Sequence, residues 1–162
     1  MDMPMNQQQV DEFLRRYAPE DVQDTIAWLV SNGYVLVSQD GTNTFGAVFV
    51  FEGDLAVQLM VDRSQWWIDI ATSSTAEFWQ YSLLLTAQSG QEYRQRFPET
   101  GTRILYGPLP SQLPEGVNWL ETLPGLLRWI QENDDVAELV AKAQKQRSAA
   151  MWPRKRKKAR DE

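Results

Sequence analysis

The apolar spacing of this chain changes at Gly33 from the period of a helix to the period of a strand, and it keeps the second period as far as Ala71. Within that stretch, runs rich in Val, Phe, Ile and Trp are separated by clusters of Gly, Asn and Asp, the pattern of strands and turns. Tyr34 to Ser38, Phe45 to Glu52, Leu55 to Val61 and Trp66 to Ala71 read as four strands, with Gln39 to Thr44 and Gly53-Asp54 as turns. Connections this short allow only antiparallel neighbours, because a parallel crossover takes about a dozen residues or more. In the third strand Leu55, Val57, Leu59 and Val61 share one face, and Ala56, Gln58 and Met60 share the other. In the fourth, Trp66, Ile68 and Ile70 alternate with Trp67, Asp69 and Ala71. The expectation is a β-meander with one buried face.

Helical spacing flanks the meander on both sides. Val10, Phe13, Leu14 and Tyr17 fall at i, i+3, i+4 and i+7, so Gln7 to Tyr17 predicts a helix that Pro19 stops. Pro19, Glu20 and Asp21 then open a second helix, whose apolar members are Val22, Ile26, Leu29 and Val30 and which Asn32-Gly33 ends. Ser74 to Gln88, containing Phe78, Trp79, Leu83 and Leu84, predicts a third helix started by the Ser/Thr cluster. Pro98 to Gly116 holds four of the eight prolines and reads as an irregular connection with a short strand at Arg103 to Tyr106. Trp119 to Gln131 returns to helical spacing, with Pro124 and Gly125 expected to break or delay its start. Asn133 or Asp134 is expected to cap a last helix carrying Val136, Leu139 and Val140. Contiguous strands between helices argue for an α+β fold, a single domain in which N-terminal and C-terminal helices pack a meander of four to five strands.

At 162 residues one core suffices, since a domain of about this length buries roughly two thirds of its unfolded surface. Charge divides the chain. Residues 142 to 162 hold nine of the 16 Lys and Arg but only Asp161 and Glu162 of the 22 acids, which leaves seven basic and 20 acidic residues, a balance of −13, in 1 to 141. We therefore expect an acidic globular domain over 1 to 147 and a basic, disordered tail over 148 to 162. An acidic body repels nucleic-acid phosphates and anionic membranes and favours a basic partner. The run from Arg154 to Arg160 permits weak nonspecific contact with nucleic acid; its plainer readings are a solubilising end or a segment that folds back on the acidic body. Neither a basic-then-apolar leader nor a run approaching 18 apolar residues is present, which predicts a cytoplasmic protein without a membrane span.

The chain has neither His nor Cys, so imidazole bases, thiolate nucleophiles, disulfides and the usual zinc sites are excluded. The local signatures for phosphate cradling, dinucleotide binding and a serine nucleophile elbow are also lacking. A pair of carboxylates is the main chemistry left, with Glu52, Asp54, Asp62 and Asp69 as candidates, although strand-end acids are more often solvated. Among the seven tryptophans, Trp28, Trp119 and Trp129 lie on or near helical apolar faces and read as core. Trp66 and Trp67 are adjacent on a strand and must point to opposite sides. Trp66 continues the buried face, and Trp67 joins Asp69 on the outer one, where it is covered by the proline-rich connection or anchors a partner.

The stretch Val57 to Ile70 resembles a pattern in small bacterial proteins, many from actinobacteria, that are similar to immunity proteins of polymorphic toxin systems. In that pattern a strand enters Asp-Arg-Gly-Gln-Trp and a second strand leaves it. Asp62, Arg63, Gln65 and Trp66 match, and Ser64 stands where the pattern has Gly. Leu120 to Trp129 is similar to a helical segment near the end of such proteins. The resemblance implies no enzyme, no cofactor and a stoichiometric protein partner, and an acidic body suits a basic toxin. With it, the partner-binding candidates are Asp54, Asp62, Arg63, Trp67 and Asp69. The alternatives are a secretion or assembly chaperone that orders an extended segment of its partner, and a carboxylate-dependent enzyme.

Overall fold

In a computed structural model of the chain, the described residues are 7–43, 46–62, 65–98, 112–114 and 116–151. They form one five-stranded antiparallel sheet in the order β1-β2-β3-β4-β5, made by β1 (Val35–Asn43), β2 (Gly46–Glu52), β3 (Ala56–Asp62), β4 (Gln65–Ala71) and β5 (Trp79–Gln80). The chain is therefore an α+β meander. Six helices accompany the sheet: α1 (Gln7–Tyr17), α2 (Glu20–Ser31), α3 (Tyr81–Ser89), α4 (Tyr93–Arg96), α5 (Trp119–Glu132) and α6 (Val136–Met151).

One face of the sheet carries the main core. Phe49, Phe51, Val57, Leu59, Val61, Ile68 and Ile70 join Val10, Phe13 and Leu14 of α1, Leu29 of α2 and the apolar stripes of α3, α5 and α6 in a single buried cluster. The period-two reading of β3 and β4 is thus borne out, with Trp66 half-buried at the edge of that cluster and Trp119, Trp28 and Trp129 packed in or against it. Helix ends are fixed by side chains placed for the purpose. Asn118 accepts from the Glu121 amide at 3.0 Å and Glu121 returns a bond to the Asn118 amide at 2.8 Å, while Asp21 of α2 accepts from the Trp119 amide at 3.2 Å. The first turn of α5 is thereby tied to the first turn of α2.

Several sequence expectations are corrected. Gln39 to Asn43 is strand, not turn: β1 continues against β2 past an irregularity between Leu36 and Ser38 and another between Asp40 and Asn43. Polar residues are tolerated there because β1 is an edge strand whose flank faces solvent. Phe78 and Trp79 are not helical. Glu52 accepts from the Ser74 amide at 3.0 Å, which pins the chain after β4, so that Phe78 packs on the sheet and Trp79 pairs with Ile70 before α3 starts at Tyr81. Pro124 lies within α5 without ending it, since burial of Leu123, Leu126, Leu127 and Ile130 outweighs the one hydrogen bond that proline forgoes. Val30 is 58% exposed, and Thr25 is buried on α2 beside Val22 and Leu29, its hydroxyl donating to the Asp21 carbonyl at 2.8 Å. Asn133 closes α5 instead of opening α6, its amide donating to the Trp129 carbonyl at 2.8 Å. Helix α6 runs through Met151, past the expected boundary at 147, with Ala150 buried. The remainder of the basic tail, 152–162, and the short strand expected at Arg103 to Tyr106 lie outside the described residues. No helix among the described residues is long and apolar enough to cross a membrane.

Candidate functional site

The second face of the sheet holds whatever the core does not consume, and its rows follow from the register. Asp40, Val48, Met60 and Trp67 are successive cross-strand partners from β1 to β4. Ser38, Val50, Gln58, Asp69 and Gln80 form the next row, and Glu52, Ala56 and Ala71 the one after it. The last of these rows is covered: Ala76 and Phe78 pack on a small cluster of its Ala56 and Ala71 with Val50 of the middle row, and Val48 borders the same cluster.

Among the described residues the first row is open; most of the proline-rich connection expected as a cover for Trp67 lies outside them. The row forms a cavity of about 380 Å³ whose floor is Val48, Met60 and the Trp67 indole, with Asp40 and Asp62 as its charged residues. Trp67 is half-buried and Asp62 exposed. At the β1 side the backbone turns through Gly41, whose φ is 84° and whose amide donates to the Asp40 carboxylate at 3.0 Å. A Cβ added at Gly41 would lie 2.3 Å from the Gly46 carbonyl oxygen, so only glycine lets β1 and β2 approach there. Gly41→Ala is expected to lower stability by about 1–3 kcal/mol, read from the urea midpoint at unchanged slope.

The middle row is a closed polar cluster. Asp69 is half-buried; burial pushes its carboxyl up to about 6, against a hydrogen bond from Gln112 and the charge of Arg147, which both lower it. Gln112 also accepts from the Ile68 amide at 2.9 Å, which occupies the β4 edge beyond the short β5. Arg147 of α6 donates to the Gln80 side chain, bringing the helix to the same edge. Among the described residues, the buried polar atoms without a hydrogen-bond partner are Asp69 Oδ1, the Tyr93 hydroxyl and Arg96 Nε. The buried Tyr81 hydroxyl is satisfied by Thr122 at 2.7 Å, and burial raises its pKa above the ordinary phenol value.

The expected partner-binding residues are therefore only partly brought together. Trp67 and Asp62 line the open cavity, and Asp69 lies one row away in the polar cluster. Asp54 is exposed in the β2–β3 turn, at the opposite end of β3 from Asp62. Arg63, with Ser64, lies outside the described residues. The carboxylates considered for acid–base chemistry are likewise dispersed, since Glu52 is engaged with the Ser74 amide and Asp54 is remote from Asp62 and Asp69. No group of three or more His, Cys, Asp or Glu residues able to hold a metal ion occurs among the described residues. Sequence reasoning missed Asp40, Val48 and Met60, which become neighbours of Trp67 only through the register of three strand pairs. No family model, no curated protein and no solved structure matches the chain.

Proposed function

We propose that this protein is a non-enzymatic acidic binding module, an immunity-type protein that neutralises a basic toxin by forming a stoichiometric complex. The observation that carries the reading is the row of the outer sheet face that lines the cavity: a tryptophan and a methionine flanked by two carboxylates, on a domain whose first 141 residues balance at −13. Aromatic side chains set in a polar rim are the usual anchors of protein interfaces, and surplus charge of one sign steers an oppositely charged partner into place.

Capture of the partner from the native host, followed by kinetics on the isolated pair, tests this. The expected partner is a basic protein bound one to one, whose harmful activity the complex abolishes. Association should slow at least several-fold as salt rises from about 10 mM to about 150 mM, since the screening length falls from about 30 Å to about 8 Å. A partner whose association ignores salt, or whose activity survives in the complex, overturns the proposal. The second reading, a chaperone for an extended segment, draws on β1, an edge strand with Val35 and Val37 exposed among the described residues. A complex in which the partner is unfolded and adds a strand to β1 would select it.

A further inference from the structure

We propose that the cavity at the Trp67 end of the outer sheet face takes a single arginine side chain of the basic protein partner; this deepens the binding reading above and rests on it. Three features of the cavity match the three parts of that side chain. Val48 and Met60 give an apolar floor for the methylene stem, the Trp67 indole gives a face for the planar guanidinium, and Asp40 and Asp62 give acceptors for its hydrogen atoms.

The register sets the spacing. Trp67 faces Met60 directly, so Asp62, two residues on, is its diagonal neighbour on the same face, with Cβ atoms within about 7–8 Å. Asp40 lies two strands from β3, which puts the Cα atoms of Asp40 and Asp62 about 12 Å apart at ordinary strand spacing. A guanidinium, with donors along both of its edges, can reach carboxylates on either side at that separation, whereas the ammonium of lysine is a compact point charge that neither stacks nor forks. The Asp40 carboxylate is held in place by the Gly41 amide, and Gly41 itself leaves the wall without a side chain. An anion or an apolar residue would meet two carboxylates here. Charge complementarity therefore selects a cation, and the indole selects a flat one.

The test uses the full chain and the blocked peptide acetyl-Gly-Arg-Gly-amide as probe, with its lysine counterpart and the neutral, isosteric citrulline counterpart beside it. Binding is followed by nuclear magnetic resonance at the Trp67 indole N–H, assigned by its loss in Trp67→Phe. The arginine peptide should move the Trp67 indole and the amides of Asp40 and Met60 saturably. The citrulline peptide should bind at least tenfold more weakly, the lysine peptide several-fold more weakly, and the pair Asp40→Asn and Asp62→Asn should weaken arginine binding at least tenfold. Because the citrulline comparison uses the unaltered chain, it stands even if a variant fails to fold. Equal binding of citrulline overturns the proposal in favour of a slot blind to charge, and shifts confined to other acidic surfaces overturn it in favour of diffuse attraction. A Trp67 resonance that salt alone displaces before any peptide is added overturns it in favour of the chain's own Arg154 to Arg160 run as the occupant. Loss of peptide binding with a salt-sensitive stoichiometric complex retained removes the arginine pocket and leaves the binding reading standing. Peptide binding by a protein that captures no basic partner does the reverse.

Discussion

Truncating Phe49 to alanine is expected to destabilise the protein by about 3–5 kcal/mol, while Gln58→Ala stays within about 0.5 kcal/mol. Phe49 sits in the middle of β2 on the helix-facing side, 0% exposed, between Gln39 of β1 and Leu59 of β3. Its ring centroid is 5.7 Å from that of Phe13, so it joins the sheet to α1. Removing the ring leaves a hole that neither a strand nor a helix can close without breaking its own hydrogen bonds. Gln58 lies on the opposite face, half-buried, its amide donating to the Met60 sulfur at 3.4 Å. Domains of this kind are stable by about 5–15 kcal/mol, so the first substitution removes a large share of the total. Urea midpoints at constant slope measure both. Comparable costs for the two would show that the sheet is packed on both faces and that the open row is not open.

The faces of β3 and β4 were legible because a strand repeats every two residues and its buried side chains here are aliphatic without interruption: Val57, Leu59 and Val61, then Ile68 and Ile70. What escaped were features decided by tertiary partners. Gln39 and Asp40 carry turn-like chemistry, yet pairing opposite Phe49 and Val48 of β2 draws them into β1. Phe78 and Trp79 fit a helical period by coincidence, and the Glu52 contact to Ser74 imposes a different path. The α1 and α2 termini were readable from Pro19 and Gly33, whose backbone preferences act locally. The cavity was half readable. Adjacent Trp66 and Trp67 had to part, which placed Trp67 outside, but the approach of Asp40 depends on the irregularity between Leu36 and Ser38. One extra residue there reverses which side chains of β1 face outward, and no periodicity within β1 announces it.

Stability is expected to fall as pH rises from about 4 to about 6, and Asp69→Asn is expected to abolish that part of the fall. Burial raises the Asp69 carboxyl from 3.8 to about 6 in the folded protein, while the unfolded chain keeps the ordinary value. Between those values the folded state holds a proton that the unfolded state has lost, so the stabilisation is complete below pH 4 and disappears as pH passes 6. Two units correspond to about 3 kcal/mol at most, and the one unpartnered oxygen, Oδ1, accounts for much of the cost of ionising this group. Asparagine keeps the shape and carries no charge. At pH 8 the variant should therefore be more stable than its parent by about 1–3 kcal/mol, with the difference shrinking toward zero near pH 4. Urea midpoints of both proteins across pH 4–8 give the comparison, and taking the difference cancels the other carboxylates. An unchanged pH slope would mean that Asp69 is solvated in the folded state. A variant less stable than its parent at pH 8 would mean that the charge of Arg147, which already reaches Gln80 at this edge, outweighs the burial and that the carboxylate clasps α6 to the sheet.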